Sequence, residues 1–145
     1  MTTTCISFQM GGYTPNYSYS LRVYYEDTDA GGIVYHANYL KFAERARTEW
    51  LRGQGWDHRR LLAELGCLIV VKNLSIDFHA PARLDDLLTV TTEITGGSAA
   101  TLDMKQIIRH EEGELATILV KLVAITPNGK VVRMPFSIEG IEARG

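Results

Sequence analysis

One amphipathic helix stands ahead of a long series of strand-forming runs, and this order constrains the fold more than any other feature of the chain. The helix is predicted to begin at Asn38, a good N-cap residue, and to stop at Gly53. Its apolar side chains recur on a single helical face, at Tyr39, Phe42, Ala43, Ala46 and Trp50. A shorter helix is expected over residues 57–65, ended by Gly66.

Strand-forming sequence dominates the rest of the chain. Leu21, Val23 and Tyr25 alternate in a first strand ahead of the helix. Alternating or β-branched runs then cover residues 67–80, 87–95, 101–110, 115–126 and 130–134. The sequence PNGK at 127–130 is the strongest hairpin signal. A long helix wrapped by a strongly curved antiparallel β-sheet is an α+β architecture.

Composition places the chain among single globular domains. It has 145 residues, of which 46% are hydrophobic and 22% charged, enough to bury a core. Residues 1–18 are expected to form a flexible N-terminal arm and residues 19–145 one domain. The arm lacks Lys, Arg and any continuous apolar run, so neither a secretory signal nor a membrane span is expected there.

The charge and the cysteine content indicate which partners and which redox compartment to expect. The formal net charge is −2 and no basic stripe with interleaved aromatics occurs, which argues against a nucleic-acid partner. Cys5 and Cys67 form no C-x-x-C pair, and Cys67 lies in an apolar run, so free thiols in a reducing cytoplasm are expected.

The segment before the long helix has the composition of a reactive site. Glu26, Asp27 and Asp29 precede Gly31 and Gly32, and His36 stands next to the helix start. Free N–H groups and the dipole at a helix start favour negative charge, so they can bind a carbonyl oxygen that becomes an oxyanion. A free carboxylate is a weak base, with an unperturbed pKa of about 3.9, so Asp29 suits a thioester, whose leaving thiol has a pKa of about 8.5.

These residues resemble a known family. Residues 27–36 read DTDAGGIVYH, residues 44–49 read ERARTE and residues 81–86 read PARLDD. Together they resemble the signature of the 4-hydroxybenzoyl-CoA thioesterase family of hotdog-fold proteins. The closest likeness is to its YbgC branch, acyl-CoA thioesterases associated with the bacterial Tol-Pal system. The resemblance spans about residues 21–126 and implies a single hotdog thioesterase domain.

The resemblance also implies roles for individual residues. Asp29 would be the catalytic carboxylate, as general base or nucleophile, and His36 and the backbone N–H near it would support catalysis. The remaining substrate contacts would come from Tyr25, Gly32, Val34 and Tyr35. The substrate would be an acyl-CoA, cleaved to a carboxylic acid and free coenzyme A, with no metal and no cofactor other than the coenzyme A of the substrate itself.

The family further implies partners. Its members form homodimers or homotetramers, and an acyl carrier protein is a possible second partner. The run at 115–126 is apolar on both faces, which independently favours self-association. Phosphate-binding candidates for coenzyme A are the cations Lys72, Lys105, Arg109, Lys130 and Arg133, and the sequence leaves open which of them converge.

Several alternatives stay open. His36 can donate to the substrate, orient the loop or satisfy a buried hydrogen bond. Glu44 is a second candidate carboxylate, although a salt bridge to an Arg is the commoner role of such a residue. Two other functions fit Asp29 and His36: a hotdog hydratase or dehydratase that uses an acid and a His, and a non-catalytic acyl-carrier or envelope-complex binding module. Ser98 lies in GGSAA, which is not the G-x-S-x-G of an α/β-hydrolase.

Overall fold

The computed structural model describes residues 17–111 and 113–135. The helices and strands follow in the order β1 (Tyr17–Arg22), α1 (Asn38–Gly53), α2 (His58–Arg60), β2 (Leu68–Phe78), β3 (Leu87–Gly97), β4 (Thr101–His110) and β5 (Gly113–Ile125). A 3₁₀ turn covers Tyr25–Asp27, and a π-helical turn, Leu61–Leu65, continues α2. The strands form one sheet in the order β1-β3-β4-β5-β2. The predicted α+β class with one long helix against a curved antiparallel sheet is confirmed.

The curvature of the sheet has a local origin. Every neighbouring pair of strands is antiparallel, and the register shifts in three of the four pairs, at Val71/Asn73, Ile94/Gly96 and Ile108/Arg109. Each shift inserts an extra residue on one strand, which bends that strand and increases its twist. The sheet therefore curves around α1.

The apolar face of α1 is buried as the periodicity predicts. Five side chains on that face are at most 3% exposed, namely Tyr39, Phe42, Ala43, Ala46 and Trp50. The predicted start needs a correction: Ala37 is the cap and Asn38 is the first helical residue. The Asn38 side chain donates to the Asp27 carbonyl over 2.8 Å, so it is committed to the preceding loop instead of capping the helix. The helix ends at Gly53, as predicted.

Two strand predictions need correction and one turn is confirmed. The first strand is Tyr17–Arg22, earlier than predicted, because it pairs with β3 along Leu87 to Thr92. Residues 130–134 form only an isolated bridge, between Val131 and Ile125. The predicted tight turn before them is present, closed by the Thr126 N–H donating to the Lys130 carbonyl over 2.8 Å.

The predicted arm at residues 1–18 lies outside the described residues, as does Cys5, except that Tyr17 and Ser18 belong to β1. Cys67 is a buried free thiol, and burial raises its pKa. None of the described helices is long and apolar enough to cross a membrane.

Candidate active site

A tight hairpin presents Asp29 at the surface. Its strands meet at a bridge between Thr28 and Val34, and the Asp29 N–H donates to the Ile33 carbonyl over 2.9 Å. Gly32 closes the turn with φ +82°, a conformation that glycine adopts without strain. The Asp29 Oδ1 accepts from the Gly31 N–H over 2.8 Å. The carboxylate is therefore exposed and oriented, with Oδ2 free of protein donors among the described residues.

The neighbouring Asp27 has a different environment. It is 8% exposed, and its Oδ2 accepts from the Tyr24 N–H over 2.8 Å. The Asp27 carbonyl accepts from the Tyr35 N–H over 3.0 Å and from the Asn38 side chain over 2.8 Å. Asp27 thus joins the acidic turn to the helix start, whereas Asp29 faces solvent.

The hairpin is fastened to the loop that contains PARLDD. The Val34 N–H donates to the Ala82 carbonyl over 2.9 Å, and Ile33 forms a bridge with Arg83. The Ala82 N–H donates to the Tyr39 hydroxyl over 2.9 Å, which connects the same loop to α1. From the sequence alone, PARLDD was only part of the family resemblance. In the structure, this segment holds the hairpin against α1.

The start of α1 offers backbone donors beside this hairpin. The N–H groups of Asn38, Tyr39 and Leu40 each donate to the carbonyl three residues earlier, over 2.8, 3.4 and 3.2 Å. Within the described residues, the N–H groups of His36 and Ala37 have no protein acceptor. Two unpaired donors at a helix start can stabilise a developing oxyanion.

The side chain of His36 is exposed. Its ring lies 4.5 Å from that of Tyr35, centroid to centroid, and makes no hydrogen bond to any residue that the structure describes. This exposure does not fit a His that satisfies a buried hydrogen bond.

The other predicted contact residues surround the same hairpin at different depths. Tyr25 is 82% exposed and Tyr35 is 48% exposed. Gly32 lies in the turn of the hairpin, and Val34 is buried. Of the predicted site residues, Asp29, Gly32 and Val34 belong to the hairpin, Tyr35 and His36 follow it directly, and Tyr25 lies in the 3₁₀ turn just before it.

Glu44, the second candidate carboxylate, lies away from the hairpin in the middle of α1. Its side chain is exposed, and in the described part of the chain it forms no ion pair, so the predicted salt bridge to an Arg is absent. Arg109, one of the predicted phosphate-binding cations, is instead paired with Glu114 over 3.2 Å. Across residues 17–111 and 113–135, no group of three His, Cys, Asp or Glu residues is arranged to hold a metal ion.

Comparisons with known proteins show which family the chain belongs to. Residues 31–117 match the model of the Thioesterase superfamily, so the match begins two residues after Asp29. The chain is 46% identical over 123 residues to the acyl-CoA thioesterase YbgC of Haemophilus influenzae, covering 85% of this chain and 90% of that protein. It is also 46% identical to the acyl-CoA thioester hydrolase YbgC of Escherichia coli, covering 76% of this chain and 84% of that protein.

Solved structures give the same result. A probable thioesterase from Bartonella henselae superposes with a TM-score of 0.81 at 39% identity, covering 83% of this chain and 100% of that one. Slr0204, a 1,4-dihydroxy-2-naphthoyl-CoA thioesterase from Synechocystis, gives 0.77 at 27% identity, covering 90% and 95%. The resemblance inferred from the three sequence motifs is confirmed.

Proposed function

The chain belongs to the thioesterase superfamily, and from this premise we propose that it is an acyl-CoA thioesterase with Asp29 as its catalytic carboxylate. The reaction would hydrolyse the thioester to a carboxylic acid and free coenzyme A. One observation carries the assignment of Asp29: its exposed carboxylate, oriented by the Gly31 N–H, belongs to the hairpin that leads directly into the unpaired N–H groups of the helix start.

In the proposed mechanism, the backbone N–H groups and Asp29 have separate roles. The N–H groups of His36 and Ala37 bind the thioester oxygen and stabilise the negative charge that develops on it. Asp29 either takes a proton from the attacking water or attacks the carbonyl carbon to form an anhydride that water then hydrolyses. In both routes the C–S bond breaks and the thiolate leaves with the electron pair, to be protonated as coenzyme A. His36 supports the geometry of the loop.

Self-association is part of the proposal. The edge strand β2 has no partner on its outer side among the described residues, and it carries Val71 and Phe78, which are 45% and 50% exposed. An unpaired apolar edge is usually covered in native proteins. A homodimer or homotetramer would cover it.

The direct test is the release of free thiol from acyl-CoA. We expect turnover by the wild type and at least an approximately hundredfold loss in Asp29→Asn, which keeps the shape of the side chain but removes its basicity. Glu26→Gln is the matched control, because Glu26 is another exposed carboxylate in the same loop and should keep its activity. Wild-type turnover in Asp29→Asn would contradict the assignment of Asp29.

Two other outcomes would replace the proposal. Hydration of an enoyl-CoA without thiol release would identify a hydratase. Binding of acyl-CoA with neither reaction would identify a non-catalytic module.

A further inference from the structure

The carbonyl oxygen of Asp27 accepts two hydrogen bonds from one short segment. The Tyr35 N–H donates to it over 3.0 Å, and the side-chain nitrogen of Asn38 donates to it over 2.8 Å. A carbonyl can only accept, so the Asn38 amide has a single orientation in which this bond forms. His36 and Ala37 lie between the two donors. The segment with the unpaired N–H groups is therefore attached at both of its ends to one atom.

Asp27 is itself firmly held. Its N–H donates to the Tyr24 carbonyl over 2.9 Å, and its Oδ2 accepts from the Tyr24 N–H over 2.8 Å. The residue is buried, and a buried polar group with its hydrogen bonds made has little freedom to move. Its carbonyl is thus a fixed point to which the start of α1 is tied.

The segment that carries the candidate carboxylate starts from the same residue. Asp29 is two positions after Asp27, and Thr28 between them forms the bridge that closes the hairpin. A shift of the helix start relative to the Asp27 carbonyl would therefore change the distance between the carboxylate and the oxyanion donors. The two bonds to this carbonyl hold that distance constant.

The first residues of α1 order the helix start without using up its donors. The cap residue is Ala37, whose methyl side chain cannot accept a hydrogen bond. Helix caps are more often Ser, Thr, Asp or Asn, because their side-chain oxygens accept from the free N–H groups. Asn38, one residue later, donates away from the helix instead of accepting from it. The free N–H groups stay available to a ligand.

From this arrangement we propose that Asn38 is a positioning residue, which acts through its bond to the Asp27 carbonyl. The bond sets the place of the His36 and Ala37 N–H groups relative to Asp29. This role rests on the proposed function, because the donors matter only if they hold a thioester oxygen. Such donors bind the charge that develops in the transition state more strongly than the neutral carbonyl of the substrate. Their displacement should therefore slow the reaction more than it weakens substrate binding.

Steady-state kinetics of thiol release tests the role of the bond, on the acyl-CoA that the wild type hydrolyses fastest. In Asn38→Ala we expect kcat to fall at least about tenfold while KM changes less than about threefold, because a misplacement of about 1 Å can cost about 100-fold in rate. Alanine favours helix, so the start of α1 should still form. The matched control is Asn128→Ala, which removes an exposed Asn that also makes one side-chain hydrogen bond, from the Thr126 hydroxyl. It should keep the wild-type kcat.

Two unreactive ligands test the donors without catalysis. A ketone analogue of the same substrate, in which a methylene replaces the thioester sulfur, keeps the carbonyl oxygen, whereas an S-alkyl-CoA thioether of equal chain length lacks it. In calorimetric titrations the wild type should bind the ketone at least about threefold more tightly than the thioether, which is the effect of about one hydrogen bond. Asn38→Ala should bind the two about equally, and Asn128→Ala should keep the wild-type preference.

Three results would overturn the positioning role. The first is a folded Asn38→Ala that keeps the wild-type kcat and the preference for the ketone, since the bond would then stabilise the fold alone. The second is a loss that appears only in KM. The third is an active wild type that binds the two analogues equally. A wild type that neither releases thiol nor binds either analogue would contradict the proposed function itself, so the two failures are distinct.

Discussion

The hydroxyl of Tyr39 accepts a hydrogen bond from the backbone N–H of Ala82 over 2.9 Å, although 43 residues separate the two in sequence. The Ala82 carbonyl accepts in turn from the Val34 N–H over 2.9 Å. The first turn of α1 and the hairpin that carries Asp29 are therefore joined through a single residue of a third segment. A substitution at Tyr39 therefore affects the candidate site through Ala82 and not by direct contact.

We expect Tyr39→Phe to lower the free energy of unfolding by about 1–3 kcal/mol, because it leaves the buried Ala82 N–H without an acceptor. Urea denaturation measures the change. The control is Tyr25→Phe, whose hydroxyl belongs to a side chain that is 82% exposed, and it should stay within about 0.5 kcal/mol of the wild type. Equal stability of the two variants would mean that this bond contributes nothing.

Tyr39 also predicts how stability depends on alkaline pH. Burial raises the pKa of Tyr39, the hydrogen bond from Ala82 partly offsets this rise, and the nearby charge of Asp86, the smallest of the three effects, raises the pKa again. A raised folded pKa means that the contribution of Tyr39 is complete below the unfolded value, about 10, and is lost as the pH rises through the folded value. Above about pH 10 the wild type should therefore lose stability more steeply than Tyr39→Phe. Parallel curves for the two proteins would contradict this.

Asp27 and Asp29 should separate stability from activity. Asp27→Asn weakens a charge-assisted bond to the Tyr24 N–H in a buried position and should reduce the free energy of unfolding by about 1–3 kcal/mol. Asp29→Asn changes an exposed group and should leave stability within about 0.5 kcal/mol of the wild type, while turnover falls. Denaturation and thiol release are measured on both variants. Large losses of both quantities in Asp29→Asn would mean that it is a structural residue.

The two glycines of the hairpin should respond differently to alanine. At Gly32 a Cβ would meet no atom within 4 Å, but φ is +82°, so Gly32→Ala should cost about 1 kcal/mol of stability through backbone strain. At Gly31 a Cβ would lie 3.3 Å from the Asp29 Oδ1. Gly31→Ala should shift that carboxylate and reduce turnover roughly tenfold, since misplacement by 1 Å can cost about 100-fold. Unchanged turnover in Gly31→Ala would show that the position of the carboxylate tolerates this crowding.

Self-association should depend on the edge strand β2. We expect the protein to sediment as a dimer or tetramer at micromolar concentration and Val71→Lys to shift it towards monomer, because a charge on an apolar interface is costly to bury. Val131→Lys places the same charge on another exposed valine, outside the sheet strands, and should leave the assembly unchanged. A wild type that is monomeric and active would contradict the proposed assembly.

The features that sequence predicted are local, and those it missed depend on contacts between distant segments. The buried face of α1 follows from a repeat of apolar residues within one helix, and β4 was predicted with its observed bounds because its run ends in turn signals. Asn38 was misassigned because its side chain bonds to Asp27, eleven residues away. The link from Tyr39 through Ala82 to Val34 joins three separate segments, so no sequence pattern within any one of them predicts it.

The exposed ring of His36 allows its role to be separated from that of the backbone beside it. If the N–H groups of His36 and Ala37 hold the oxyanion, the imidazole matters through loop geometry, and His36→Gln should lose less turnover than Asp29→Asn. A misplaced oxyanion donor can still cost about 3 kcal/mol of transition-state stabilisation, so the comparison uses kcat with the fold checked by circular dichroism. The pH profile gives a second criterion, because a proton-transferring imidazole would add a limb to the profile. A supporting His36 predicts that His36→Gln lowers the whole profile and keeps its shape. Disappearance of the limb, with a loss equal to that of Asp29→Asn, would instead make His36 a proton-transfer residue and revive the acid and His pair of a hydratase.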